Sequence, residues 1–77
     1  MQTDKVLFEV MYKERLKPRI VCERMGRSPR FLDPYRYGGA TPNTATLAQI
    51  LDVCDYDLVA RSRNDGTEFV IDPPTSD

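Results

Sequence analysis

The stretch LKPRIVCERMGRSPRFLDPYRYGG, residues 16–39, decides the reading of this chain. Lys17-Pro18 breaks a preceding helix, and proline fits the first position of a new one, where its missing N–H costs nothing. Ile20, Val21, Cys22 and Met25 give the new helix an apolar side. Gly26 stops it, because glycine enters the left-handed conformation freely. Ser28-Pro29 is a start signal, a capping hydroxyl followed by proline at the first helical position. The third helix is expected to begin at Pro29 and to be short, since Pro34 lacks the N–H that would bond back to residue 30 and crowds the preceding turn. Gly38-Gly39 ends it. Cys22 is small enough for the two helices to pack closely, and Leu32 and Tyr35 supply the inner side of the second.

Working outward, Thr3 is expected to cap a first helix. Leu7, Val10 and Met11 follow at helical spacing, flanked by Val6 and Tyr12. Pro42-Asn43 restarts the chain with Asn43 as a cap, and Leu47, Ile50, Leu51 and Cys54 form the stripe of a fourth amphipathic helix. After Tyr56 the period alternates. Residues 58–63 and 67–71 read as two strands around Asn64-Asp65-Gly66, where Asp-Gly favours a hairpin turn because both residues tolerate positive φ. This divides the chain into a helical domain over 1–57, a β-hairpin extension over 58–72 and a flexible tail over 73–77.

Seventy-seven residues make one domain. A chain this short buries roughly 60% of its unfolded surface, and self-association is a common remedy for the marginal stability that results. No apolar run approaches the roughly 20 residues of a membrane span. The N-terminal MQTDKVLFEV lacks a signal-peptide pattern, so a cytoplasmic protein is expected. There is no histidine. Cys22 and Cys54 lie far apart among apolar positions and read as small buried hydrophobes in a reducing compartment, so no metal and no cofactor are expected. An enzyme is not expected either: there is no activated cysteine context and no phosphate-cradling glycine loop. Asp55 and Asp57, flanking Tyr56, read as solvated surface.

The net charge is −1 but unevenly spread. Up to Ala45, nine basic residues oppose five acidic ones; from Thr46 onward, two oppose seven. Such asymmetry suits a molecule that meets a polyanion with one face, although ordinary solvated surface would also carry it.

Leu16, Val21-Cys22, Met25-Gly26-Arg27-Ser28, Leu32, Tyr35 and Gly38, continued by Pro42, Thr46-Leu47, Ile50 and Tyr56-Asp57-Leu58, form an ordered set. In register and order it resembles the Cro/C1-type (XRE) helix-turn-helix family of phage and bacterial regulators, over residues 4–58. The following YDLVARSRNDGTEFVI is similar to the strand extension of many small members. The resemblance implies a mainly α, four-to-five-helix, lambda-repressor-like helix-turn-helix domain with a C-terminal β-hairpin.

It further implies a transcriptional regulator whose recognition helix enters the major groove of double-stranded DNA. Carried over by position, the base readers would be Pro29, Arg30 and Pro34, with Phe31 beside them. A guanidinium at Arg30 can donate two hydrogen bonds to guanine, and Phe31 can lie against a thymine methyl. The two prolines depart from the polar residues common there. Phosphate contacts would come from Lys17, Arg19, Ser28, Arg36, Tyr37 and the backbone N–H groups of Gly38 and Gly39. Arg27, standing where an apolar turn residue is usual, would reach outward to phosphate.

A two-stranded hairpin is not stable alone in water. Val59, Phe69, Val70 and Ile71 exceed what one thin helical layer covers, so a homodimer formed edge to edge or across one hairpin face is expected. The alternative is a hairpin folded back on its own fourth helix. The main functional expectation is therefore a dimeric repressor on a partly palindromic operator. Its rival is a protein-binding module on the same fold, antitoxin-like or an inhibitor of a protein partner.

Overall fold

The structure, a computed structural model, describes residues 2–74. Four helices precede a two-stranded antiparallel hairpin: α1 (Thr3–Lys13), α2 (Pro18–Arg24), α3 (Asp33–Arg36), α4 (Thr44–Val53), β1 (Leu58–Arg61) and β2 (Glu68–Ile71).

Three of these helices, α1, α2 and α4, bury an apolar face, and α3 buries no residue of its own. Leu7 and Met11 of α1, Val21 and Cys22 of α2, Leu32 ahead of α3, and Ala48, Ile50, Leu51 and Cys54 along α4 make up the core. Phe31, Tyr35 and Leu58 are half-buried against it. Cys22 and Cys54 are both buried and free. Ile20, expected on the apolar side of α2, is 37% exposed, and Val21 and Cys22 are the residues that α2 buries.

The caps follow the sequence in two places and depart from it in two. Pro18 takes the first turn of α2, and the Asn43 side chain accepts from the Thr46 N–H at 2.8 Å. Thr3, however, is the first helical residue of α1; Gln2 occupies the cap and no side chain bonds there. Pro29 does not open a helix. Residues 29–32 run through successive turns, with the Phe31 N–H bonded to the Ser28 carbonyl and the Asp33 N–H to that of Arg30. The α-helix starts only at Asp33, which places Pro34 in the first turn, where its missing N–H is harmless. The proline expected to end the helix instead fixes where it begins.

Three helices end in one way. Beyond α1 the Leu16 N–H reaches the Met11 carbonyl at 2.8 Å; beyond α2, Arg27 reaches Cys22 at 2.9 Å; beyond α4, Tyr56 reaches Leu51 at 2.8 Å. Each closure turns on the preceding residue in the left-handed conformation: Arg15 (φ 57°), Gly26 (φ 69°) and Asp55 (φ 63°). This is the Schellman arrangement, which satisfies carbonyls left open at a helix end. Only Gly26 carries a residue type that announces it.

The hairpin pairs Leu58 with Ile71, Val59 with Val70, Ala60 with Phe69 and Arg61 with Glu68. The connection runs over residues 62–67, longer than the Asn64-Asp65-Gly66 turn expected. The Ser62 N–H bonds to the Thr67 carbonyl and the Gly66 N–H to the Ser62 carbonyl. Gly66 has positive φ, whereas Asp65 does not. Asp65 instead accepts the Thr67 N–H at 2.9 Å, and this bond, with further ones from Thr67 and Ser62, holds its carboxyl below its ordinary range. β1 packs beside α4 through Leu58, and Pro73 and Pro74 border a cleft with Gln49, Asp52 and Val53 of α4, while every residue of β2 is exposed. Of the expected tail, Pro73 is half-buried and residues 75–77 lie outside the described residues.

The left-handed ends set a stability test. Asp55→Gly is expected to stabilise the fold by about 0.5–1 kcal/mol, and Gly26→Ala to destabilise it by about 1 kcal/mol. In a domain this size each kcal/mol moves the Tm by roughly 4–8 °C. Urea denaturation of both variants checks the signs; an Asp55→Gly no more stable than wild type would contradict strain at that residue.

Candidate nucleic-acid interface

Twelve positions were expected to face DNA, and eleven of them are exposed; Phe31 alone is half-buried. They lie along one stretch of chain, from the start of α2 through the turn at Gly26 to the loop after α3.

Lys17 is the N-cap of α2 in extended conformation, and Arg19 follows in the first turn. After Gly26, the Ser28 hydroxyl accepts the Arg30 N–H at 3.3 Å, which fixes the backbone that carries Arg30. The Arg27 guanidinium lies over the Phe31 ring, 5.0 Å from its centroid. Phe31 in turn meets Tyr35 edge to face at 6.3 Å. This column sets Arg27 against two aromatic rings that pack on the core, so the Phe31 ring expected to meet a base already carries a guanidinium. Arg36 lies over Tyr37 in a similar way, at 5.1 Å, and Tyr37 itself is 73% exposed.

The loop after α3 presents its amides through a tight construction. The Pro34 carbonyl accepts from the Gly38 N–H at 3.1 Å and the Ala40 N–H at 3.0 Å, so the Gly38 N–H expected to meet phosphate is already bonded within the chain. Gly39 turns the chain at φ 72°.

The expected phosphate set divides in space. Lys17 and Arg36, nineteen positions apart, line one groove. Arg27 borders a different, smaller cleft with Met25, Asp52 and Pro73. Lys13 and Arg15 join Lys17 and Arg36 at the first groove. They escaped notice in the sequence because they belong to the end of α1, which the resemblance gives no role; the alternate basic positions 13, 15 and 17 were the available signal.

The hairpin residues expected to dimerise do not share one face. Directly paired residues of an antiparallel ladder project to the same side, and neighbours along a strand to opposite sides. Val59 and Val70 therefore lie on one face, and Phe69 and Ile71 on the other with Ala60 and Leu58. Phe69 is 71% exposed and Val70 54%.

Cys54 is buried, and burial pushes its thiol pKa up, with Arg24 opposing the shift and Asp55 and Glu14 adding to it. That is the reverse of the shift that activates a nucleophilic cysteine. Asp55 and Asp57 are exposed, as expected of solvated carboxylates.

Comparison with protein-family models, curated proteins and solved structures gave no match to this chain.

The loop after α3 can be probed directly. A Cβ on Gly38 would stand 3.0 Å from the Pro34 carbonyl oxygen, whereas one on Gly39 would meet nothing within 4 Å. Gly38→Ala is expected to shift the amide resonances of residues 35–40 by pushing that carbonyl aside. Gly39→Ala should cost about 1 kcal/mol from its backbone conformation alone, with α3 amides near their wild-type positions. A two-dimensional amide NMR spectrum of each variant distinguishes the two.

Proposed function

We propose that this protein is a sequence-specific regulator that binds double-stranded DNA through the α2–α3 segment, as a helix-turn-helix domain of the Cro/C1 kind, in the cytoplasm. The observation that carries the reading is charge on an exposed, folded stretch. Between residues 16 and 40 stand Lys17, Arg19, Arg24, Arg27, Arg30 and Arg36 against only Glu23 and Asp33, and all six cations are exposed. Phosphate attraction supplies register and affinity; Arg30, on the turn ahead of α3, supplies base readout. The acidic second half faces a polyanion less well, which favours approach by one side. The protein acts as a homodimer through its hairpin, giving two reading elements about one DNA turn apart on a partly palindromic operator, and represses transcription there.

One observation favours the rival reading. The reading element is a run of turns followed by a single helical turn, with Pro29 exposed in the first part and Pro34 in the second, and neither offers a side-chain hydrogen bond. A surface of that kind also suits a protein partner.

Selection of bound duplexes from fragmented genomic DNA separates the two. Under the DNA reading a partly palindromic site is enriched. Its affinity falls roughly a hundredfold over a fourfold rise in salt if about four phosphates are neutralised. Arg30→Ala costs about 1–3 kcal/mol and relaxes the preference at one base pair. No enriched sequence and no binding at low salt would leave the protein-partner reading.

The dimer is tested by sedimentation velocity across a concentration series. Wild type is expected to associate, and Phe69→Glu to remain monomeric with unchanged helical circular dichroism, since Phe69 is 71% exposed. A wild type that stays monomeric throughout would remove the dimer.

A further inference from the structure

A groove of about 910 Å³ opens where the end of α1, the α1–α2 link and α3 meet. Small-molecule sites usually measure roughly 300–1,000 Å³. Its floor is apolar: Phe8, Met11, Leu16 and Pro18. Met11 is only 1% exposed, so the floor is continuous with the core. Tyr12, 84% exposed, stands at its side.

The rim is cationic. Lys13, Arg15, Lys17 and Arg36 line the groove, and among the described residues no carboxylate does. The acidic residue nearest in sequence, Glu14, is engaged elsewhere, its Oε2 accepting the Tyr56 hydroxyl at 2.9 Å. Lys13 also lies 5.9 Å from the Tyr56 ring, and Arg36 is steadied by Tyr37. Four positive charges around an apolar floor match a ligand with an anionic head and an apolar body. A bare anion would leave the floor wet, and a neutral apolar molecule would leave the cations without a partner.

We propose that this groove binds a small amphipathic anion, an apolar chain or ring carrying one carboxylate or phosphate. The ligand's body covers Phe8, Met11, Leu16 and Pro18, while Arg15 and Arg36 supply forked hydrogen bonds to its head. Lys17 and Arg36 are also phosphate-contact positions under the DNA reading, so an occupied groove competes with DNA. That regulatory consequence rests on the DNA reading; the binding itself does not.

The probe is octanoate, titrated into the isotope-labelled full chain and followed by amide NMR, with acetate and 1-octanol as controls. Octanoate is expected to shift the amides of Tyr12–Lys17 and Arg36, and each control to bind roughly tenfold more weakly or less, lacking either the body or the head. In a second arm, Lys13→Ala/Arg15→Gly removes two cations that have no part in the DNA reading. Its Arg15→Gly change relieves a φ of 57°, so the variant is expected to fold, which its own amide spectrum checks. Octanoate should bind it about five- to tenfold more weakly.

Acetate shifting the same amides as strongly, shifts centred on the hairpin, or unchanged affinity in the double variant would each overturn the proposal. So would binding to phosphatidylglycerol vesicles without any octanoate shift, which would mark the groove's charges as a membrane contact. In a DNA-binding assay octanoate should weaken wild type more than the double variant. Octanoate shifts in a chain that binds no DNA would remove only the DNA reading, whereas DNA binding with no octanoate shifts would remove only the groove ligand.

Discussion

The path of this chain depends on three residues in the left-handed conformation, Arg15, Gly26 and Asp55. At each, the N–H three residues past the helix folds back to a carbonyl in its last turn. The closure replaces hydration of the last carbonyls with an internal bond and reverses the chain within a few residues. Helices of eleven, seven and ten residues can then converge on one small core without long connections. Leu16, brought in by the first closure, packs against that core as Tyr56 does after the third. Tyr56 then ties the end of α4 to the end of α1 through Glu14.

That economy leaves a thin interior. The wholly enclosed side chains come from α1, α2, α4 and the turn before α3, and none comes from the hairpin. A chain of this length has little apolar surface left for a second layer, so β2 stands exposed on both faces. The same shortage shapes the α3 region. Phe31 and Tyr35 are only half inside, and their outer surfaces carry Arg27. Basic residues here are placed by aromatic rings that the core cannot fully enclose.

Positive charge consequently gathers in two settings of different character. Around Arg27 and Arg30 it lies on a turn held by Ser28 and the aromatic column. Around Lys13, Arg15, Lys17 and Arg36 it rings an apolar floor. A flat polyanion can be met by either set through charge alone, because exposed cations act at range in water. An apolar floor adds affinity only for a ligand that brings an apolar surface of its own. The second setting is therefore the more selective one chemically, though only the alternate basic positions 13, 15 and 17 mark it in sequence.

The sequence by itself determined the four helices, their apolar faces, the break at Lys17-Pro18, the stop at Gly26, the cap at Asn43 and the existence of the hairpin. Each follows from a local rule: a period, a missing N–H, a glycine or a side-chain acceptor. It misplaced the start of α3, because Pro29 and Pro34 both fit a first turn and nothing local chooses between them. The tertiary structure chose Pro34 by drawing Leu32 into the core and leaving 29–32 as turns. The left-handed Arg15 was invisible for a related reason, since no residue preference places it there, and Asp55 tolerates that conformation without announcing it. The strain is carried by the packing of Leu16 and Tyr56 beyond them. The division of the cations is also tertiary. Lys17 and Arg36 share a groove only because α3 folds beside the end of α1, and proximity between distant residues is set by the packing of a core rather than by the order of the chain.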